Sequence, residues 1–263
     1  MGRISVSSVT KRFQTDDSFV VALDDVNLAI QEKEIVTVVG ASGCGKSTLL
    51  NLIAGFETPT VGQVLVDGQS INGPGPDRGV VFQQTALFPW LSVEDNIAFG
   101  LSLRANQGKG NRQQVVERML QRTGLSAFRE RRPAELSGGM RQRAAIASVL
   151  AINPSTLLMD EPFGSLDSLT RSIMQDFLLE IWEEQRKTVV LVTHDIDEAI
   201  YLADKTVVMT AQPGRICEVI DVNLPRPRRY EMRSEAPFIE LRDHVTQIVR
   251  TEAIKGIASS AIN

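Results

Sequence analysis

The chain is poor in cysteine: only Cys44 and Cys217 occur in 263 residues. Two such distant thiols cannot staple a small scaffold, so no bridge is expected and the chain suits a reducing compartment. Long apolar runs are also missing. Nowhere do about 18 apolar residues run together to span a bilayer, and the first residues lack the apolar core of a signal peptide. If the protein acts at a membrane, it must dock on another protein that spans it. Basic excess is absent too, with 28 Lys and Arg against 32 Asp and Glu and a formal net charge of −4. That balance disfavours nucleic acid as the main partner, because phosphate-backbone binding needs a strong basic field. There is no internal repeat and no low-complexity tract. The length allows one large domain or two small ones, with enough chain to bury a sizeable core.

The most informative segment present is VTVVGASGCGKST, Val36 to Thr48. A β-branched run feeds a loop containing Gly40, Ala41, Ser42, Gly43, Cys44, Gly45, Lys46, Ser47 and Thr48, with the spacing G-x-x-x-x-G-K-[ST]. Glycines let successive backbone N–H groups turn toward one anion, and a following helix, from Ser47 to about Ala54, adds its positive end. Lys46 can then reach the β- and γ-phosphates, and Ser47 can ligate Mg²⁺. The segment predicts binding of a nucleoside triphosphate.

Residues 4–9 and 22–30 read as strands, and Val64 to Ile71 as a hairpin turning at Asp67 and Gly68. Apolar runs at Ile35–Val39, Leu157–Met159, Val189–Val192 and Val207–Met209 suit doubly covered strands of a parallel sheet. Between about 91 and 156 the period becomes helical, through Val115, Val116, Met119, Leu120, Ile146, Val149 and Leu150. Ile173, Phe177, Ile181 and Trp182 mark an amphipathic helix that would cover the sheet, and Phe238 to Ile254 a terminal one. The expectation is a single α/β domain over 1–263. Its core lobe takes 1–90 and 157–221, a helical lobe takes 91–156, and a C-terminal extension takes 222–263.

Two further clusters carry chemistry. Asp160 and Glu161 close the apolar run 157–159, at the strand end where an open α/β sheet presents its ligand crevice. Alone, such a pair is an ordinary charged terminus. Beneath a phosphate loop, Asp160 would hold Mg²⁺ through its water shell and Glu161 would polarise an attacking water. Leu136, Ser137, Gly138, Gly139 and Met140 precede an apolar-periodic helix, whose N-terminus offers N–H groups and a hydroxyl to an anion. Taken alone this is an ordinary turn. Its place, 91 residues after Lys46 and 23 before Asp160, gives it weight.

With these motifs in order, the chain resembles the ATP-binding subunit of an ABC transporter from about Ser5 to Arg228. The resemblance implies a P-loop NTPase core of ABC type, with an N-terminal antiparallel β subdomain and an inserted helical subdomain. Gly40–Thr48 corresponds to Walker A, Leu136–Met140 to the signature and Asp160 with Glu161 to Walker B. It identifies Gln83 as the Q-loop glutamine, among both the water-handling and the Mg²⁺-facing groups. Asp167, with Ser165 and Leu166, matches the D-loop, His194 the switch histidine and Phe13 the aromatic that stacks on adenine. Implied with these are ATP and Mg²⁺, hydrolysis, and a head-to-tail dimer with a second copy or a homologous ATPase subunit. In that dimer each ATP lies between one phosphate loop and the other subunit's Ser137 and Gly139. The implied setting is peripheral, at the cytoplasmic face of the inner membrane. There integral-membrane permease subunits would be direct partners, and a periplasmic or extracellular solute-binding protein an indirect one.

A narrower likeness runs through Gly73–Gly79, Leu87–Leu91, Met209–Ile216 and Leu224–Arg228, to importers of nitrate, sulfonate, taurine or bicarbonate. Met140 stands where the signature usually ends in glutamine, and Ser148 where the family has an arginine that would help fix the helix. Leu87, Phe88, Trp90 and Leu91 would either fill a local core or in part form a groove for a membrane subunit's coupling helix, since exposed apolar surface often marks an interface. Two competing readings are an ABC-type ATPase without a transport role and a phosphate-loop kinase acting on a small molecule. The 91-residue spacing excludes a long coiled coil, and a kinase has no use for Leu136–Gly139.

Overall fold

The structure is a computed structural model that describes residues 2–15, 18–103 and 111–260. Residues 104–110 of the expected helical lobe lie outside the described residues. In chain order the elements begin β1 (Ile4–Gln14), β2 (Phe19–Ile30), β3 (Ile35–Val39), α1 (Lys46–Ala54), β4 (Val61–Val66), β5 (Gln69–Ser70) and β6 (Arg78–Val81). Three helices follow, α2 (Val93–Ser102), α3 (Arg112–Arg122) and α4 (Gly138–Ala151), then β7 (Thr156–Asp160) and α5 (Ser168–Gln185). The chain continues through β8 (Thr188–Val192), α6 (Ile196–Leu202), β9 (Lys205–Met209), β10 (Ile216–Asp221) and α7 (Ala236–Ser260).

Two compact units divide these elements, Met1–Gly75 with Arg186–Asn263, and Pro76–Gln185. In the first, an antiparallel sheet runs β2-β1-β4-β5. Its β4–β5 turn is Asp67 and Gly68, both at positive φ, as the two-residue turn matching strand twist requires. The Asp67 carboxylate accepts the N–H groups of Gly2 and Arg3 and so ties the first residues to this turn. β1 and β2 are longer than the apolar pattern suggests, because pairs such as Arg12 with Val21 and Gln14 with Phe19 extend the ladder into exposed chain. Local hydropathy cannot register such cross-strand partners.

Also in the first unit, β3 lies between β8 and β9 and runs parallel to both, with β10 antiparallel beyond β9. All five residues of β3 and of β8 are buried, as continuous apolar runs predict for strands covered on both faces. In the second unit β6 and β7 are parallel, with Val81 opposite Met159. Helices α2 and α4 pack so closely that a Cβ on Gly100 would fall 2.4 Å from Ile152.

α5 corrects one expectation. Phe177, Ile181 and Trp182 are buried, but Ile173 is 56 % exposed. At about 100° per residue the buried arc, Met174 through Trp182, centres near Leu178 and leaves Ile173 outside it. At its far end α5 meets Arg122 of α3, whose guanidinium pairs with Glu180 at 2.6 Å and Glu184 at 3.2 Å and lies over the Phe177 ring.

Candidate nucleotide site

β3 delivers the chain to Gly40, and the loop from there to Gly45 returns it into α1. Gly40 is required by close approach, since a Cβ there would lie 2.8 Å from Cys44 Sγ and 3.0 Å from the Met209 carbonyl. Gly45, at φ +93°, is required twice: its conformation is left-handed, and a Cβ would strike Leu23 at 2.7 Å and the Ala22 carbonyl at 2.8 Å. No side chain caps the N-terminus of α1 and no acidic residue occupies its first turn, so its positive end stays available to an anion. Ser42, Gly43 and Ser47 are exposed, Ala41 and Thr48 partly so, and Cys44 is buried. Lys46 is 8 % exposed, with Nζ donating to the carbonyls of Gly40 and Ala41 at 2.9 Å each. Cys44 Sγ lies 3.7 Å from that ammonium, and burial pushes its thiol above the ordinary range.

Sequence reasoning did not give Ala22, Leu23 and Gly214 a role in the loop. They wall it. Gly214 exchanges backbone hydrogen bonds with Ala22 and Asp24 at 3.0 Å, and a Cβ on Gly214 would fall 2.0 Å from the Cys44 carbonyl. The available signal was Gly214 itself, a glycine after proline just beyond an apolar strand.

His194 leaves the same sheet edge as the loop. Val38 pairs with Val192, and the Thr193 N–H reaches the Val38 carbonyl at 3.1 Å, so the ends of β3 and β8 are neighbours. His194 is exposed. It is followed by Asp195, whose carboxylate caps α6 by accepting the Glu198 N–H at 3.0 Å. Phe13 stands on β1 two positions beyond Lys11, the partner of Leu23, hence about 7 Å along the strand from the loop wall. Its ring is 37 % exposed with the Lys11 ammonium 4.8 Å from its centroid.

The second unit gathers the remaining residues in two places. β6 and β7 end together, and just past them Gln83 Nε2 donates to Glu161 Oε2 at 3.1 Å. Asp160 precedes at the strand end, half-buried. Glu161 holds φ +45°, a left-handed conformation that disfavours a side chain of its size. The second place is the start of α4, where Ser137 Oγ accepts the Met140 N–H at 3.2 Å. Ser137 and Gly138 are exposed, and a Cβ on Gly139 would touch Leu166 at 3.2 Å, so the turn packs on the segment leading to Asp167. Asp167 caps α5 by accepting the Thr170 N–H, and that hydrogen bond holds its carboxyl below the usual range. Ser148, where an arginine was expected, turns its hydroxyl back to the Ala144 carbonyl at 2.8 Å and lies flat on its own helix.

Beyond Gln83 the chain forms an exposed aromatic cluster. Asn96, 4 % exposed, accepts the Phe88 N–H at 2.8 Å and donates to the carbonyls of Phe88, Leu91 and Ser92. One amide thus fixes the whole turn. Phe88 stacks between Phe99 at 4.4 Å and Trp90 at 5.5 Å, and Trp90 is 67 % exposed.

In the first unit the exposed Ser47 hydroxyl, and in the second the Asp160 carboxylate and the Gln83 amide, are each hard oxygen donors of the kind Mg²⁺ takes. The profile of a family described as ABC transporter matches residues 23–164. The chain is 49 % identical over 244 residues to a nitrate import ATP-binding protein of Synechococcus elongatus, covering 92 % of this chain and 89 % of that one. It is 45 % identical over 244 residues to an aliphatic sulfonates import ATP-binding protein of Bacillus cereus, covering 93 % and 94 %. Among solved structures, a dimeric ATP-binding cassette in a post-hydrolysis state with ADP and phosphate superimposes with a TM-score of 0.76. It is 34 % identical, and the match covers 84 % of this chain and all of that one.

Proposed function

Since the chain belongs to the ABC transporter family of ATP-binding proteins, we propose that it powers a membrane importer for a small oxyanion or organosulfonate. ATP-driven closure of a head-to-tail dimer does the work. The chain is an ATPase, and its relatives are import ATPases for nitrate and for aliphatic sulfonates. No described helix is long and apolar enough to cross a membrane, so the passage itself falls to permease subunits.

In this reading Lys46 leaves its two loop carbonyls for the β- and γ-phosphates, and Phe13 stacks on adenine. Ser47, Asp160 and Gln83 would hold Mg²⁺, which when bound would supply positive charge against the phosphates. Glu161 orients and polarises the attacking water while His194 holds the γ-phosphate, a positioning and electrostatic role that suits phosphoryl transfer. Ser137 and Gly139 of a second subunit close the site, with Asp167 beside them. The observation that carries the coupling is the hydrogen bond from Gln83 to Glu161, because Gln83 opens the segment that leads to half-buried Phe88 and exposed Trp90, packed with Phe99 of α2. A permease helix seated on that cluster would sense, through Gln83, whether the carboxylate is engaged.

ATPase rate and ATP-dependent dimerisation of the wild type, Glu161→Gln and Ser137→Arg test the reading. The expected result is a stable ATP-bound dimer of Glu161→Gln and neither dimer nor hydrolysis from Ser137→Arg. Hydrolysis by a monomer indifferent to Ser137 would overturn it.

A further inference from the structure

The basic segment after Leu224 has no role in the reading above, yet its arginines are committed to one place. Arg226 reaches Asp204 Oδ1 through Nε at 3.0 Å and Nη2 at 2.8 Å, and the Leu202 carbonyl at 2.9 Å. Arg228, 8 % exposed, donates to the carbonyls of Ala203 at 2.7 Å and Pro225 at 3.2 Å. Burial and the neighbouring Arg226 charge pull its guanidinium down to about 10, so it stays cationic at neutral pH in a place that disfavours charge. Leu202 and Ala203 carry the carbonyls that the C-terminal end of α6 leaves without helical partners, and cations there also complement the helix dipole.

Asp204 is held from every side. Its second carboxylate oxygen accepts the Ile35 N–H at 2.8 Å, its own N–H donates to the Ile35 carbonyl at 2.8 Å, and its carbonyl accepts the Val222 N–H at 2.8 Å. Ile35 begins β3, whose other end is the phosphate loop. α6 begins one residue after Asp195, beside His194. Both elements that aim groups at the nucleotide are therefore gripped at their far ends by one carboxylate and two guanidinium groups. Arg233, over the buried Tyr201 ring at 4.1 Å, adds a third hold on α6 from the same segment.

We propose that Arg226, Arg228 and Asp204 are positioning residues for ATP hydrolysis, setting the seat of His194 through α6 and of the phosphate loop through β3. The inference rests on the ATPase reading above. It makes the C-terminal extension part of the engine, acting through α6 and β3. A misplacement of about 1 Å suffices to matter, even when its source lies far from the chemistry.

The test uses the full chain with Arg226→Gln, Arg226→Lys and Asp204→Asn, measuring kcat, KM, thermal midpoint and the histidine Cε1–H NMR signals. The chain has two histidines, and His244→Gln assigns the spectrum. Arg226→Gln is expected to lower kcat about tenfold with KM changed less than about twofold, and to move the His194 signal. Arg226→Lys, keeping charge but not the fork, should recover part of the rate. Asp204→Asn, which retains an acceptor for Ile35, should give the same signature if Arg226→Gln folds poorly. An unmoved His194 signal, or a rate loss that only follows the unfolded fraction, overturns the proposal. The histidine signal reads the linkage even in a chain that does not hydrolyse ATP, so failure of the linkage and failure of the ATPase reading are separable.

Discussion

Replacing Glu161 separates activity from stability at a single position. Gln83 donates to Glu161 Oε2 at 3.1 Å, and a glutamine amide oxygen can accept the same bond, so Glu161→Gln keeps the geometry and removes the charge. Losing one positioned electrostatic group costs about 2.7–4 kcal/mol of transition-state stabilisation, or roughly 10²–10³ in rate. The backbone supplies an independent axis. At φ +45° a non-glycine residue stores about 1–2 kcal/mol, and asparagine tolerates that conformation best. Glu161→Asn should therefore lose activity as Glu161→Gln does, yet melt about 1–3 °C higher, the equivalent of recovering up to about 1 kcal/mol. Glu161→Val, β-branched and intolerant of left-handed backbone, should melt lower than either. Single-turnover ATP hydrolysis and calorimetry measure both axes on the same samples. Glu161→Gln hydrolysing within about threefold of wild type would refute the catalytic assignment. An unstable Glu161→Asn would refute the account of the strain.

Ser137→Ala removes the cap on Met140 together with the hydroxyl proposed to face the second subunit's ATP, and should cost about 1 kcal/mol of stability, read from a denaturant titration, whereas Ser137→Arg should block ATP-dependent dimerisation outright. Thiol titration with a chromogenic disulfide should be biphasic, fast at exposed Cys217 and slow at buried Cys44, with ATP slowing the second phase further; one fast phase for both would contradict the buried loop. Because Cys44 keeps its proton when folded while the unfolded thiol ionises near about 8.5, its contribution to stability is full below that pH and falls as pH rises; Cys44→Ala should flatten that alkaline decline. Phe88→Asp or Leu87→Asp should leave ATP binding intact and abolish transport in reconstituted vesicles. Trp90, far more exposed than Trp182, should shift its emission when permease is added, and an unchanged spectrum would place the docking surface elsewhere.

What could be read from the residues was what is local. The phosphate loop, the Asp67 and Gly68 turn, and the buried strands β3, β7, β8 and β9 each declare themselves within a few neighbouring positions. The length of β2 did not, because its first residues are paired rather than buried. Ile173 was misjudged because a stripe of four apolar residues does not fix the centre of a buried arc that also takes in Met174 and Leu178. Within the candidate site, residue types were legible and partners were not. Glu161 meets a glutamine 78 positions away, and the loop leans on Gly214 from the far side of the chain. Nothing near Asp204 in the sequence signals that Ile35 and Arg226 converge on it.

The carbonyl contacts of Lys46 bear on which anions the loop would admit under the proposed function. Its ammonium already satisfies two carbonyls at 2.9 Å, so any incoming ligand must win an exchange rather than fill an open claw. A lone orthophosphate or sulfate, abundant in a cell, offers a single centre of charge against two existing hydrogen bonds. A triphosphate brings several anionic oxygens at once, with further amides of the loop and the end of α1 to receive them. Under the proposed function the two carbonyls would set a threshold that favours ligands with more phosphates, and they would take the lysine back as product departs.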